Sequence, residues 1–185
     1  MNSASAFFAR WRVRLSYPCA ILVLLFARPT PHSILWGAPL GLLGLFIRAR
    51  AAGHLHKQEV LTVTGPYAYT RNPLYFGSAI LTLAAAIATW SWISTAILCA
   101  YFALFYSIVM RREEAELRLH HAAAFDEYAA AVPLFFPRLT PTKLSFAGAG
   151  SFSFEQYKKN HEYQAAIGFV LWLGVVVLIW WVRQR

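Results

Sequence analysis

Hydrophobic positions in this chain fall into long runs, and most polar residues collect between the runs or at their ends. Five such runs stand out: Leu15 to Ala27, Ile34 to Ala52, Leu74 to Thr89, Ile93 to Met110 and Ala165 to Val182. A helix needs about 20 apolar residues to cross a bilayer, so the pattern predicts an all-α, polytopic membrane protein with about five transmembrane helices. The first run is short, so its helix begins at Leu15 or earlier, and it ends at Arg28-Pro29 without a small-residue cleavage pattern, as a retained span does. Pro29 and Pro31 mark a tight turn, after which Ser33 or His32 is placed to cap the second helix. That helix carries Gly37, Gly41 and Gly44. The first two are spaced as G-x-x-x-G, which points to close packing within the bundle more than to a dimer. Trp90-Ser91-Trp92 joins the third and fourth runs so tightly that they must form an antiparallel hairpin with tryptophans at the far interface. Helix-forming composition continues from Arg111 to Tyr128, which places Glu113 and Glu114 just outside the lipid. Val132 to Phe154, rich in Pro, Gly and Ser, reads as an irregular connection, and polar Glu155 to Tyr163 leads into the last run.

Composition agrees. Of 185 residues, 58% are hydrophobic and 14% charged, against about 25% charged in a soluble domain, and the length suits one domain. The formal charge of +9 raises nucleic acid as a partner. The basic residues flank apolar runs instead of forming one patch, which excludes that class. With the N-terminus inside, all but Arg28, Arg183 and Arg185 of the 17 basic residues lie on the cytoplasmic side, as the positive-inside rule requires. Arg10, Arg12 and Arg14 among Phe7, Phe8 and Trp11 suit an interfacial helix on an anionic surface or a topology-setting flank. Cys19 and Cys99 lie within apolar runs, as packing residues do, and predict neither a disulfide nor a metal cluster. His54, His56, His120 and His121 lack the i, i+4 spacing of a helical zinc pair, so no metal is expected.

The chemistry concentrates between the second and third runs, in Gly65-Pro66-Tyr67-Ala68-Tyr69-Thr70-Arg71-Asn72-Pro73-Leu74-Tyr75-Phe76-Gly77. Gly65-Pro66 is a turn signal. Asn72-Pro73 is a second, and it suits a helix start, since proline at the first position gives up an N–H that has no partner there. A helix opening at Pro73 aims free N–H groups and its positive dipole end at the loop, which favours an anionic group such as a carboxylate.

This stretch resembles the G-P-Y…R-H-P-x-Y-x-G signature of the isoprenylcysteine carboxyl methyltransferase family, relatives of the phospholipid N-methyltransferases. Glu113-Glu114, Leu117, Tyr128, Val132-Pro133 and Phe136-Pro137 resemble that family's second block, E-E-x-x-L…Y-x-x-x-V-P-x-x-x-P. The likeness covers roughly residues 40–137, with the apolar helix at about 163–183 beyond it, within one domain spanning 1–185. It implies an integral membrane enzyme that takes a methyl group from S-adenosylmethionine, with a cofactor site on the cytoplasmic face. No P-loop and no G-x-G-x-x-G after a strand occurs, which excludes a soluble Rossmann-type methyltransferase.

Methyl transfer from a sulfonium needs alignment and exclusion of water more than acid–base help. The protein must hold a zwitterionic amino-acid end, two ribose hydroxyls and a flat purine. Carboxylates suit the hydroxyls or the ammonium, and arginine or free backbone N–H groups suit the carboxylate. The resemblance puts Glu113 and Glu114 in the cofactor site, where the bare sequence would also allow a solvated charge cluster beside Arg111 and Arg112. Arg71 either binds the cofactor carboxylate or positions the acceptor, unless it snorkels to lipid phosphate. Arg71 and Arg112 are the candidate catalytic residues. Tyr67 and Tyr75 can wall the purine, and Gly65 and Gly77 allow close backbone approach. Pro66, Pro73 and Leu74 complete the cofactor loop, and His56 with Lys57 touches the cofactor or lipid head groups. Asn72 stands where the family has histidine: it can hydrogen-bond the cofactor but cannot take a proton near neutral pH. His121, Ala122 and Phe125 stand where the family tends to have Phe, Gly and Tyr.

The expected acceptor is lipophilic and enters from the bilayer: a prenylated cysteine-like carboxylate, or a lipid amine or thiol. Membrane lipids are expected around the chain, with no nucleic acid and no protein partner. Two other classes compete, an NADPH-dependent sterol-type reductase of the same fold and a non-enzymatic membrane scaffold or transport protein. The paired glutamates argue against the first, which would need basic groups for a nucleotide phosphate.

Overall fold

The computed structural model describes residues 3–56, 60–146 and 150–185, with side chains from residue 14 onward. Lys57 lies outside the described residues, as do the side chains of Phe7, Phe8, Arg10, Trp11 and Arg12. Every regular element described is helical: α1 (Ser3–Phe26), α2 (Pro31–His54), a 3-10 turn (Gly65–Ala68), α3 (Pro73–Thr89), α4 (Trp92–Ala131), α5 (Phe154–Lys159) and α6 (Tyr163–Arg183). Among the described residues, three helices are long and apolar enough to cross a membrane: α2, α4 and α6. Arg14–Phe26 and Pro73–Thr89 are apolar but shorter. Leu35, Trp36, Leu42, Phe46, Val170 and Leu171 are all exposed, an outward apolar surface of the kind a lipid environment covers. The chain is an integral membrane protein.

α2 starts three residues before the expected Ile34, and its cap is neither Ser33 nor His32. Thr30 Oγ1 accepts from the Ser33 N–H at 3.1 Å while Ser33 Oγ accepts from the Thr30 N–H at 2.9 Å. This reciprocal pair satisfies two orphan donors, and Pro31 takes the first helical position, where its missing N–H costs nothing. At the other end α2 runs on through His54, past the expected Ala52.

The chain divides into two compact units, Met1–Leu42 with Ala79–Arg112 and Ile167–Arg185, and Leu43–Ser78 with Glu113–Ala166. In the first, Gly37 lies against Ala84 and Ala88 of α3, and Gly41 against the ring of Phe169 in α6. The two glycines therefore serve two different helices of the bundle. Trp90, at φ +47°, makes the tight reversal between α3 and α4, and Ser94 Oγ donates to the Val23 carbonyl at 2.8 Å.

The second unit has its own core of Leu61, Val63, Phe125, Tyr128 and Val132. It forms because α4 is not straight: Ala122, at φ 35° and ψ −110°, breaks the helical path. The following turns lay Phe125, Tyr128 and Val132 on Leu61 and Val63.

Candidate functional site

The two sequence blocks meet in the second unit. Main-chain bonds do most of the joining: the Arg71 N–H donates to the Pro133 carbonyl, the Arg138 N–H to Tyr69 and the Thr142 N–H to Ala68, each at 2.9 Å. Side chains add to these. Tyr128 Oη donates to the Tyr67 carbonyl at 2.8 Å, Thr70 Oγ1 to the Phe135 carbonyl at 2.9 Å and Asn72 Nδ2 to the Leu134 carbonyl at 3.0 Å. Short polar side chains and turn backbone that lack partners of their own are thereby satisfied across the joint.

On this frame lie the charged residues. Arg71 Nη1 is 2.6 Å from Glu114 Oε1, with both side chains largely buried. Glu114 Oε1 and Arg71 Nε, both buried, make no hydrogen bond among the described residues. Polar atoms in that state are uncommon in folded proteins and mark places where another group is accommodated. Tyr75 Oη donates to Glu113 Oε1 at 2.5 Å on the exposed side of the same segment. Arginine and two carboxylates are thus presented by one short stretch at the start of α3 and one turn of α4.

Gly65 has φ +60°, and a side chain there would strike the ring of His54. Glycine is required on both counts, the left-handed backbone and the ring. The buried His54 gives its Nδ1 proton to the Arg50 carbonyl at 2.7 Å, since a carbonyl only accepts. His56 does the same to the His54 carbonyl at 3.1 Å, and its N–H donates to Thr62 Oγ1. The two rings are thereby fixed with Nδ1 as the donor. Burial first, then the nearby Tyr128 and Glu113, push the Tyr67 phenol well above its ordinary value of 10. It is a neutral wall of the loop.

Of the remaining predicted site residues, the Pro66 carbonyl accepts from the Tyr69 N–H within the 3-10 turn, Pro73 opens α3, and the Leu74 carbonyl faces Arg48. Asn72 caps α3 through its main chain, its carbonyl accepting from the Phe76 N–H, and its side-chain amide goes to Leu134. Arg112 closes the Ala79–Arg112 segment of the other unit and is half-buried. Sequence reasoning missed Arg48 and Glu162, which form a buried ion pair described below, and His54 as the residue behind Gly65. A charge at the end of an otherwise apolar helix was the available signal for Arg48. Among the described residues no three His, Cys, Asp or Glu side chains converge as metal ligands.

The phospholipid methyltransferase family profile matches residues 36–123. The chain is 39% identical over 84 residues to the nickel-cobalt-cadmium resistance protein NccN of Alcaligenes xylosoxydans xylosoxydans, which covers 45% of this chain and 39% of that one. It is 34% identical over 143 residues to the cobalt-zinc-cadmium resistance protein CzcN of Cupriavidus metallidurans, covering 70% of this chain and 63% of that one. The chain thus spans less than two thirds of the length of either curated relative. No solved structure matches it. Over residues 36–123 this membrane protein carries a segment that matches the phospholipid methyltransferase family.

Proposed function

We propose that the protein is an S-adenosylmethionine-dependent methyltransferase acting on a lipophilic acceptor, with its N-terminus and its site on the cytoplasmic side and with α1 and α3 adding to α2, α4 and α6 as spans. The observation that carries this reading is the joint of the two blocks, where Arg71 Nε is buried without an acceptor beside Glu114. A guanidinium in that state fits the carboxylate of the cofactor's amino-acid end. Glu114 fits its ammonium, and Glu113 with Tyr75 fits ribose hydroxyls. Tyr67, neutral and buried, fits against the purine. When bound, the cofactor would supply an electrophilic methyl group.

The chain's own part is to bind and orient. Main-chain bonds pin the loop that carries Arg71 to residues 133–142, and Arg71 meets Glu114 through its side chain, so little ordering remains to be done on binding. Burial of this pair keeps water from competing for it. No side chain here needs to move a proton if the acceptor is a carboxylate, thiolate or free amine. The prenylated cysteine-like carboxylate suggested by the resemblance stays within this class, as do lipid amines and thiols. The relatives' names place them in resistance to nickel, cobalt, zinc and cadmium. A metal-binding reading has no ligand group to stand on among the described residues.

Calorimetric titration of the purified protein in lipid nanodiscs with S-adenosylhomocysteine, and separately with NADPH, tests the proposal. Binding of the first is expected, and Glu114→Gln should weaken it at least tenfold, about 1.4 kcal/mol, while the protein stays folded. Binding of NADPH alone would establish the reductase reading, and silence toward both the non-enzymatic one.

A further inference from the structure

Outside the matched residues 36–123, the segment 150–162 is fastened to the end of α2. The Ser153 N–H donates to the Gly53 carbonyl at 2.9 Å. Asn160 Nδ2 donates to the Ala52 and Leu55 carbonyls at 2.8 and 3.0 Å, satisfying acceptors that a helix C-terminus leaves orphaned. The ring of Phe152 packs edge-on against His54 and lies 5.8 Å from the Arg50 guanidinium. At the end of this strap Glu162, 8% exposed, meets Arg48 in a two-pronged pair, Nε to Oε1 at 2.5 Å and Nη2 to Oε2 at 2.9 Å. The third nitrogen of Arg48 reaches the opening of α3, donating to Ser78 Oγ and, at 3.4 Å, to the Leu74 carbonyl. Gly77 leaves room for this: a side chain there would meet the Arg48 stem at 2.6 Å and the Gly44 carbonyl at 2.9 Å.

We propose that Glu162 is a positioning residue for the candidate cofactor site, acting through Arg48 on the first turns of α3. The inference rests on the functional reading above. A planar guanidinium has a fixed fork of donors. With two prongs held by Glu162, the direction of the third is set, and it seats the helix that carries Tyr75 and is entered from Arg71. Lysine in place of Arg48 keeps the charge and loses the fork. The strap is therefore part of the site's frame, although no residue in it belongs to either sequence block.

The test compares wild type, Glu162→Gln, Arg48→Lys and, as a stability control outside this contact, Gly37→Ala. Each is measured in nanodiscs for its thermal midpoint and its dissociation constant for S-adenosylhomocysteine. Glu162→Gln and Arg48→Lys are expected to weaken binding roughly tenfold, which corresponds to about 1.4 kcal/mol. Gly37→Ala should lower the midpoint with affinity unchanged. Wild-type affinity in Glu162→Gln with only the midpoint lowered would show a purely structural pair and overturn the inference. If Glu162→Gln does not fold, Arg48→Lys is judged by the same criterion. Failure of the wild type to bind overturns the functional reading itself, an outcome distinct from a variant that binds as well as wild type.

Discussion

Ala122 holds a backbone conformation, φ 35° and ψ −110°, that a residue with a Cβ rarely adopts. The strain costs on the order of 1–2 kcal/mol. It is offset by what the bend brings about, since only after it do Phe125, Tyr128 and Val132 reach Leu61 and Val63. The resemblance places a glycine here, and the backbone explains why one fits: without a Cβ a positive φ costs far less. Ala122→Gly should therefore raise the stability of the protein by about 1 kcal/mol, read as a higher thermal midpoint in nanodiscs. A lower midpoint would show that the Cβ contributes more than the strain costs. Arg71 and Glu114 were legible one by one from their motifs. Their contact was not, and neither was the Arg48–Glu162 pair, whose members are 114 positions apart.

Among the helices, composition fixed existence and contact fixed the boundaries. Runs of apolar residues announced α2, α3, α4 and α6. The start of α2 was misplaced because its cap depends on two side chains bonding back to each other's main chain, and a serine at position 33 reads equally well as a cap or as a third helical residue. Gly37 and Gly41 illustrate the same limit. Their spacing announces a close approach, and only the fold shows that Gly37 admits Ala84 and Ala88 while Gly41 admits Phe169. At Gly37 an added Cβ would lie 2.7 Å from Ala88 Cβ and 2.9 Å from the Ala84 carbonyl, too near for either helix to hold its place. Gly37→Ala should cost about 1–3 kcal/mol. An unchanged midpoint would mean that α2 and α3 can separate freely there.

For the molecule as a whole, charge supplies an orientation that the fold does not. In the orientation proposed above, the loop between α4 and α5 is cytoplasmic. In a background carrying Cys19→Ser and Cys99→Ser, the exposed Lys143 replaced by Cys (Lys143→Cys) should react with a membrane-impermeant maleimide in inverted vesicles and not in right-side-out ones. The opposite result would invert the topology and put the site on the other side of the membrane. Gly65, Tyr67 and their neighbours stand out as a group because turn residues and aromatics cluster there in the sequence. The strap after Gly150 holds the end of α2 through Asn160 and Glu162, whose partners lie 105 to 114 positions away, and no local pattern reports pairs so far apart.

By itself the sequence determined that this chain lives in a lipid bilayer as helices, with two polar blocks between the apolar runs. Lipid cannot hydrogen-bond a backbone, so long apolar runs have few alternatives. Only the tertiary structure decided that Arg71 meets Glu114, that α4 bends at Ala122 and that Glu162 reaches Arg48. Those contacts join residues far apart in the chain, and what selects them is the pairing of charge, shape and orphaned backbone groups once the helices have packed.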